Sequence, residues 1–193
     1  SGRQDELFER TYLSRETFNS TTRLTLDQSQ ALEENMLTDE VVERFEKLSG
    51  RGKAHIATSN DILEIMKHLS GKTVVGHNII DYDFPVLFYT GSYEAKLEGG
   101  EKARSEFIER FNEYMKTMTI IDTLDLARIL QKGRENVLED ITNGGLVKLF
   151  SPAVYEHLKS MLHQSSADVL VTAKNFETIM NIMTSKDMLQ STN

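Results

Sequence analysis

The sequence predicts an α/β domain. Three short runs of β-branched or apolar residues, at 6–14, 72–76 and 119–123, alternate with longer segments whose apolar residues recur at three and four. Only Pro85 and Pro152 interrupt the 193 residues as prolines, and no Pro/Ser-rich linker, repeat or low-complexity tract divides them. A chain of this length buries a core of its own, so a single domain over residues 3–186 is expected.

Each element has a local reason. ELFERTYLS, residues 6–14, alternates loosely and reads as an edge strand. Thr38 caps a helix over 39–48, which carries Val41, Val42, Phe45 and Leu48 on one stripe. Asn60 or Asp61 caps a second helix that ends at Leu69, before Gly71, with Ile62, Ile65, Met66 and Leu69 on one face. Lys72–Gly76 is a short buried strand. Pro85 suits the first turn of the next helix, where its missing N–H costs nothing, and Gly91 ends it. Residues 101–117 form an amphipathic helix with Ala103, Phe107, Ile108, Phe111 and Met115 inward; the charges of 98–113 make its solvated face. Thr119–Thr123 is a second buried strand, followed by the helix LDLARIL. Residues 154–162 and 166–184 are helical, the latter with Leu170, Ala173, Phe176, Met180 and Met183 as its core stripe.

Composition removes several classes of function. There is no cysteine, which excludes disulfides, Cys-ligated zinc and thiol catalysis. The five histidines (55, 68, 77, 157, 163) show no H-E-x-x-H spacing. Hydrophobic residues make up 39% and charged residues 27%, an ordinary soluble balance. No apolar run approaches the ~20 residues of a bilayer span, and no secretory signal is visible. No membrane partner and an intracellular location are therefore expected. A net charge of −8 argues against a module that coats duplex nucleic acid. Metal ions can still supply positive charge at one site.

The chemistry-bearing residues cluster at two places. VVGHNIIDYDFPVL sets Asp81 and Asp83 just beyond the 72–76 strand. Ligands of open α/β sheets sit beyond the carboxyl ends of strands. Further on, HQSSAD sets His163 five residues before Asp168. Ser165 or Ser166 caps the following helix. Asp168 falls in its first turn, where it complements the helix dipole or binds a ligand, and His163 lies in the loop ahead. His77 suits a structural hydrogen bond. Asp122 suits support of the sheet or a cap on the 123–131 helix, and Tyr82 and Phe84 suit the core.

Together these stretches resemble the DEDD family of 3′–5′ exonucleases, specifically its His-bearing DEDDh subgroup. GHNIIDYDFPVL resembles the second motif as polymerase proofreading domains carry it, with an aromatic before the Asp and Pro two residues after. HQSSADVLVTAKNF is similar to the third motif. TIIDTLDLARIL and MLTDEVVERF resemble the units around them, so the likeness spans about residues 5–183. It implies a ribonuclease H-like mixed sheet flanked by helices. It implies two Mg²⁺ or Mn²⁺ ions held in part by Asp83 and Asp168, His163 as general base, and Asn78 positioning backbone or substrate. The substrate would be the 3′ end of DNA or RNA. Two metals suit phosphodiester cleavage, Mg²⁺ suits carboxylates, and an imidazole titrates near neutrality. Asp83 fits the polymerase spacing. The bacterial proofreading spacing is one residue shorter and falls on Tyr82, which leaves Asp81 as an alternative.

One motif departs. The family's Asp-x-Glu strand should precede ELFERTYLS, and neither Asp5-Glu6 nor Asp27-Gln28-Ser29 has that pattern. The resemblance thus implies a sheet without its first strand and a domain incomplete at its N-terminus. An enzyme is expected if such a strand is supplied; otherwise a catalytically inactive module binding protein or nucleic acid is expected. A wholly helical regulatory domain would require 72–76 and 119–123 not to pair.

Overall fold

Tyr12–Leu13 (β1) pairs in parallel with His55–Ile56 (β2). In the computed structural model the described residues are 12–14, 43, 55–135, 137–163 and 165–190. Most of the 6–14 strand and of the 39–48 helix, with its Thr38 cap, lies outside them. The chain divides into two compact units, Ser1–Ser70 with Val86–Thr117, and Gly71–Pro85 with Met118–Asn193. The described architecture is mixed α/β and mainly helical.

In the first unit, Ser59–Leu69 forms α1. Its cap is Thr58, not Asn60 or Asp61. Thr58 holds the extended backbone a cap requires, and its hydroxyl accepts from Asp61 N at 3.1 Å. Asp61 returns the bond, its carboxylate accepting from Thr58 N at 2.9 Å. This is a capping box, in which Asp61 is the third helical residue. Ile62 and Met66 are buried beneath.

The strand Thr73–Gly76 (β3) comes next and belongs to the second unit. After it, Phe84–Lys116 forms α2, broken only at Gly99 and Gly100. Gly100 takes φ 70°, ψ −160°, a conformation open to glycine almost alone. The break folds the helix back on itself. Phe88 and Phe111 meet edge to face at 5.3 Å, whereas 23 residues of straight helix would separate them by ~35 Å. Gly91 does not end the first arm. It lies buried mid-helix, and a Cβ there would stand 2.1 Å from Phe107 Cζ. The glycine marks a close approach, not a stop. Arg104 Nε donates to Ser92 Oγ at 3.1 Å, and Glu98 accepts from both Ser59 N and Ser59 Oγ, tying the hairpin to the start of α1. Lys96 and Arg104 pair with Glu101 on the exposed side; such pairs add little stability.

In the second unit β3 pairs in parallel with Thr119–Asp122 (β4), from Thr73 opposite Thr119 to Gly76 opposite Asp122. This pairing removes the wholly helical reading. Thr123–Gln131 (α3) follows directly. Asn143–Phe150 (α4), with Thr142 as its cap, was not expected, because an Asn-Gly-Gly opening has poor helix propensity. Pro152–Leu158 (α5) starts with its proline in the first turn and tightens into a 3₁₀ turn at Lys159–Met161. Ser165–Gln190 (α6) packs against β3, α3 and α4. Its buried stripe is Ala167, Val171, Asn175 and Ile179, at strict fourfold spacing. The expected stripe is out of phase: Leu170 is 57% and Met180 41% exposed. A small and a polar residue hold the inward positions, so hydrophobicity alone pointed to the neighbouring face. Ile179 joins Ala127, Leu130, Leu138 and Leu146 in one cluster, and Val171 joins Val147 and Leu158 in another.

Candidate functional site

The chain turns sharply as β3 ends. A Cβ on Gly76 would lie 2.6 Å from Ile79 Cβ, so only glycine admits the turn. Asn78 follows in the left-handed region at φ 60°, ψ 26°, which asparagine tolerates better than most residues. One π-helical turn, Ile79–Asp83, then leads into α2.

Asp122, at the equivalent end of β4, holds this turn in place. It is 7% exposed. Its Oδ1 accepts from Asn78 N at 2.8 Å and from Leu124 N at 2.9 Å, and its Oδ2 accepts from Ile80 N at 3.2 Å. One carboxylate therefore caps α3 and anchors the segment that carries Asp81 and Asp83. Both roles read from the sequence for Asp122 are present, and the link to the turn is additional.

His77 makes the structural contact expected of it. Its Nδ1 lies 2.9 Å from Thr123 Oγ1, and the Thr123 hydroxyl donates to Gly76 O at 3.2 Å. Burial pulls its pKa below the ordinary value of 6.5. Asp122 and a backbone bond with Ile141 oppose that shift, and Arg128 adds to it. The unfolded chain thus binds a proton at a pH where folded His77 does not, so this residue's contribution is present above about pH 6.5 and is lost as the pH falls. In urea titrations, wild type should lose stability between about pH 7 and about pH 5, and His77→Gln should lose less. Equal losses in the two proteins would remove His77 as the source.

Asp83 is an exposed residue, yet neighbouring atoms partly desolvate its carboxyl and raise its pKa. Its own backbone N–H opposes the shift, and the nearby Asp122 charge adds to it. Two carboxylates therefore face a common electrostatic environment at this end of the sheet. Asp81 is exposed beside them. Phe84 is buried as expected, but Tyr82 is 64% exposed.

His163 sits in the loop before α6 at φ 72°, with an exposed side chain. Its backbone N donates to Asp168 Oδ1 at 3.0 Å. The structure thus joins these two residues directly. α6 begins at Ser165, and its capping contacts lie outside the described residues. A buried polar contact steadies the start of α6. Asn143 Nδ2 donates to Thr172 Oγ1 at 2.9 Å and to Asp168 O at 3.3 Å. Asn175 Nδ2 donates to Asn143 Oδ1 at 2.8 Å and to Asn143 O at 3.0 Å, which leaves Asn175 Oδ1 buried without a partner. Sequence reasoning missed both asparagines. The available signal was a polar residue at 175 between apolar residues four positions away on either side, Val171 and Ile179.

No protein-family model, curated protein or solved structure matches this chain. The likeness to exonucleases rests on its motif residues alone. Those residues fall into two groups: Asn78 and Asp83 on the turn organised by Asp122, and His163 with Asp168 at the start of α6. Oxygen donors without cysteine suit Mg²⁺ or Mn²⁺. Among the described residues, however, no three His, Asp or Glu side chains converge to hold a metal ion. Asp83 and Asp168 do not by themselves make a two-metal centre. Among the same residues no helix is long and apolar enough to cross a membrane.

Proposed function

We propose that this chain is a DEDDh-type 3′–5′ exonuclease domain on a ribonuclease H-like sheet, an intracellular protein acting on the 3′ ends of DNA or RNA. Asp83 and Asp168 supply carboxylates to a Mg²⁺ or Mn²⁺ site whose remaining ligands come from outside the described residues. His163 takes the proton from the attacking water, and Asn78 positions the substrate. The observation that carries this reading is the place of Asp83. It follows directly on the carboxyl end of β3, beside the Asp122 charge, in the same compact unit as the linked pair His163 and Asp168. Sheet ends of this kind are where α/β proteins bind ligands.

A second reading, a non-catalytic module that binds nucleic acid or protein, is favoured by the lack of a three-donor cluster among the described residues. One assay separates the two. With Mn²⁺ or Mg²⁺, the protein should shorten 5′-labelled single-stranded DNA or RNA from its 3′ end, and EDTA should stop it. Asp83→Ala and Asp168→Ala should abolish shortening while far-UV circular dichroism shows the helices retained. His163→Ala should slow turnover more than it weakens binding. A wild-type protein that binds the strand without shortening it leaves the binding module. Full activity in both aspartate variants rejects the assignment.

A further inference from the structure

Two asparagines that the exonuclease chemistry does not use converge on Asp168. Asn143 is the first residue of α4 and is half-buried. Its side chain meets three turns of α6. Nδ2 donates to Asp168 O at 3.3 Å and to Thr172 Oγ1 at 2.9 Å, and Oδ1 accepts from Asn175 Nδ2 at 2.8 Å. Residues 168, 172 and 175 are spaced by four and three, so they share one helix face. Together the partners fix which way the amide of Asn143 faces. Turned over, its oxygen would meet Asp168 O and its nitrogen would meet Asn175 Nδ2, acceptor on acceptor and donor on donor.

Asn175 is wholly buried and spends its own amide on Asn143, donating to the backbone carbonyl as well at 3.0 Å. Its Oδ1 then has no partner among the described residues. An unpaired buried acceptor costs free energy that an apolar residue would avoid. What the asparagine adds in return is a fixed Asn143.

The hold passes outward from there. Asp168 lies in the first turn of α6, and its Oδ1 accepts from His163 N at 3.0 Å. His163 has φ 72°, in the left-handed region that a Cβ disfavours. Such a conformation persists where its surroundings hold it, and the carboxylate of Asp168 is a contact that does so. A run of hydrogen bonds thus leads from the core at Asn175 through Asn143 and Asp168 to His163, all within one compact unit.

We propose that Asn143 is a positioning residue for the His163–Asp168 pair, with Asn175 setting the amide of Asn143. Asn143 acts through Asp168: it fixes the first turn of α6, and the turn fixes the carboxylate that holds His163. Its effect on turnover rests on the exonuclease reading, since a metal carboxylate and a general base must be held to within ~0.5 Å of their working places. Its effect on the geometry of the pair does not.

Amide exchange followed by NMR on the full chain, without divalent cations, tests the geometry. Asn143→Asp keeps an acceptor for Asn175 and places a negative charge where α4 favours one, but it loses the donor to Asp168 O. Exchange at His163 should rise by about tenfold in Asn143→Asp and in Asn143→Ala. Val147→Ala is the control. It thins the core that Val147 forms with Val171 and Leu158, and exchange at His163 should stay unchanged, because a loop amide exchanges through local opening. If Asn143→Ala misfolds, Asn143→Asp decides. Unchanged exchange at His163 in Asn143→Asp, or an equal rise in Val147→Ala, overturns the proposal. Turnover of a 5′-labelled strand with Mn²⁺ tests the consequence. In Asn143→Asp, kcat should fall by about tenfold or more with KM little changed, and Val147→Ala should keep both. Wild-type activity with kcat unchanged in Asn143→Asp overturns the positioning role. A wild type without activity removes the exonuclease reading instead, and exchange at His163 then decides alone.

Discussion

Asp122→Ala should lower the unfolding free energy by about 3–4 kcal/mol, well beyond the ~1 kcal/mol of a typical substitution. The reason is the number of groups that one buried carboxylate serves. Removing it strands Asn78 N, Ile80 N and Leu124 N together and uncaps α3. Bonds to an ionised acceptor are worth more than neutral ones, and leaving the donors unpaired costs more than the bonds contribute. Asp122→Asn separates charge from geometry. Its one carbonyl oxygen can still serve Asn78 and Leu124, but an NH₂ group then faces the Ile80 N–H. An intermediate loss, about half that of alanine, is expected. Urea midpoints at constant slope measure both values. Amide exchange at Asn78 and Ile80 should rise in the alanine variant as the turn under Asp83 loosens. A loss of only ~1 kcal/mol, with unchanged exchange at these amides, would mean that the turn is held by something other than this carboxylate.

The same residue shows how far the sequence could be read. β3 and β4 were legible because TVVG and TIID are β-branched runs set between helical patterns, and a parallel pairing follows once helical chain separates them. Asp83, His163 and Asp168 were placed correctly at a strand end and a helix start, because local spacing fixes both positions. What failed was non-local. Gly91 reads as a helix stop until Phe107 is seen lying against it. α4 failed for a local reason instead: its glycines disfavour helix, while Gly145 is needed because the carboxyl of Asp140, only five residues earlier, covers it, with its Cγ 2.2 Å from where a Cβ would stand. Asp140 in turn accepts from Thr142 N and Oγ1, bonds that hold its pKa low and its carboxylate in place. The phase of α6 was off because Asn175 occupies a core position through its bonds to Asn143, a partner 32 residues away. The candidate site was legible only as two separate groups, Asn78 with Asp83 and His163 with Asp168, because local spacing fixes each group and not the distance between them.

The Gly91–Phe107 contact supplies the second large effect, and here two forces oppose each other. In an ordinary helix interior Gly→Ala stabilises by about 1 kcal/mol. At position 91 the added methyl would stand 2.1 Å from Phe107 Cζ and 2.5 Å from Cε2. The ring cannot easily yield, because it is itself buried and lies 5.8 Å from Phe111, which Phe88 in turn holds edge to face. Overpacking of this kind costs about 1–3 kcal/mol, occasionally more, so Gly91→Ala should be net destabilising. Phe107→Ala alone should cost about 3–5 kcal/mol by emptying the space between the hairpin arms. The two changes should not add. With the ring gone the methyl at 91 has room, and the helix-propensity gain returns, so the double variant should be no less stable than Phe107→Ala and up to about 1 kcal/mol more stable. A double-mutant cycle from urea denaturation reads this directly. Additive losses would show that the two arms do not meet at Gly91, and the fold-back of α2 at Gly99 and Gly100 would then need another explanation.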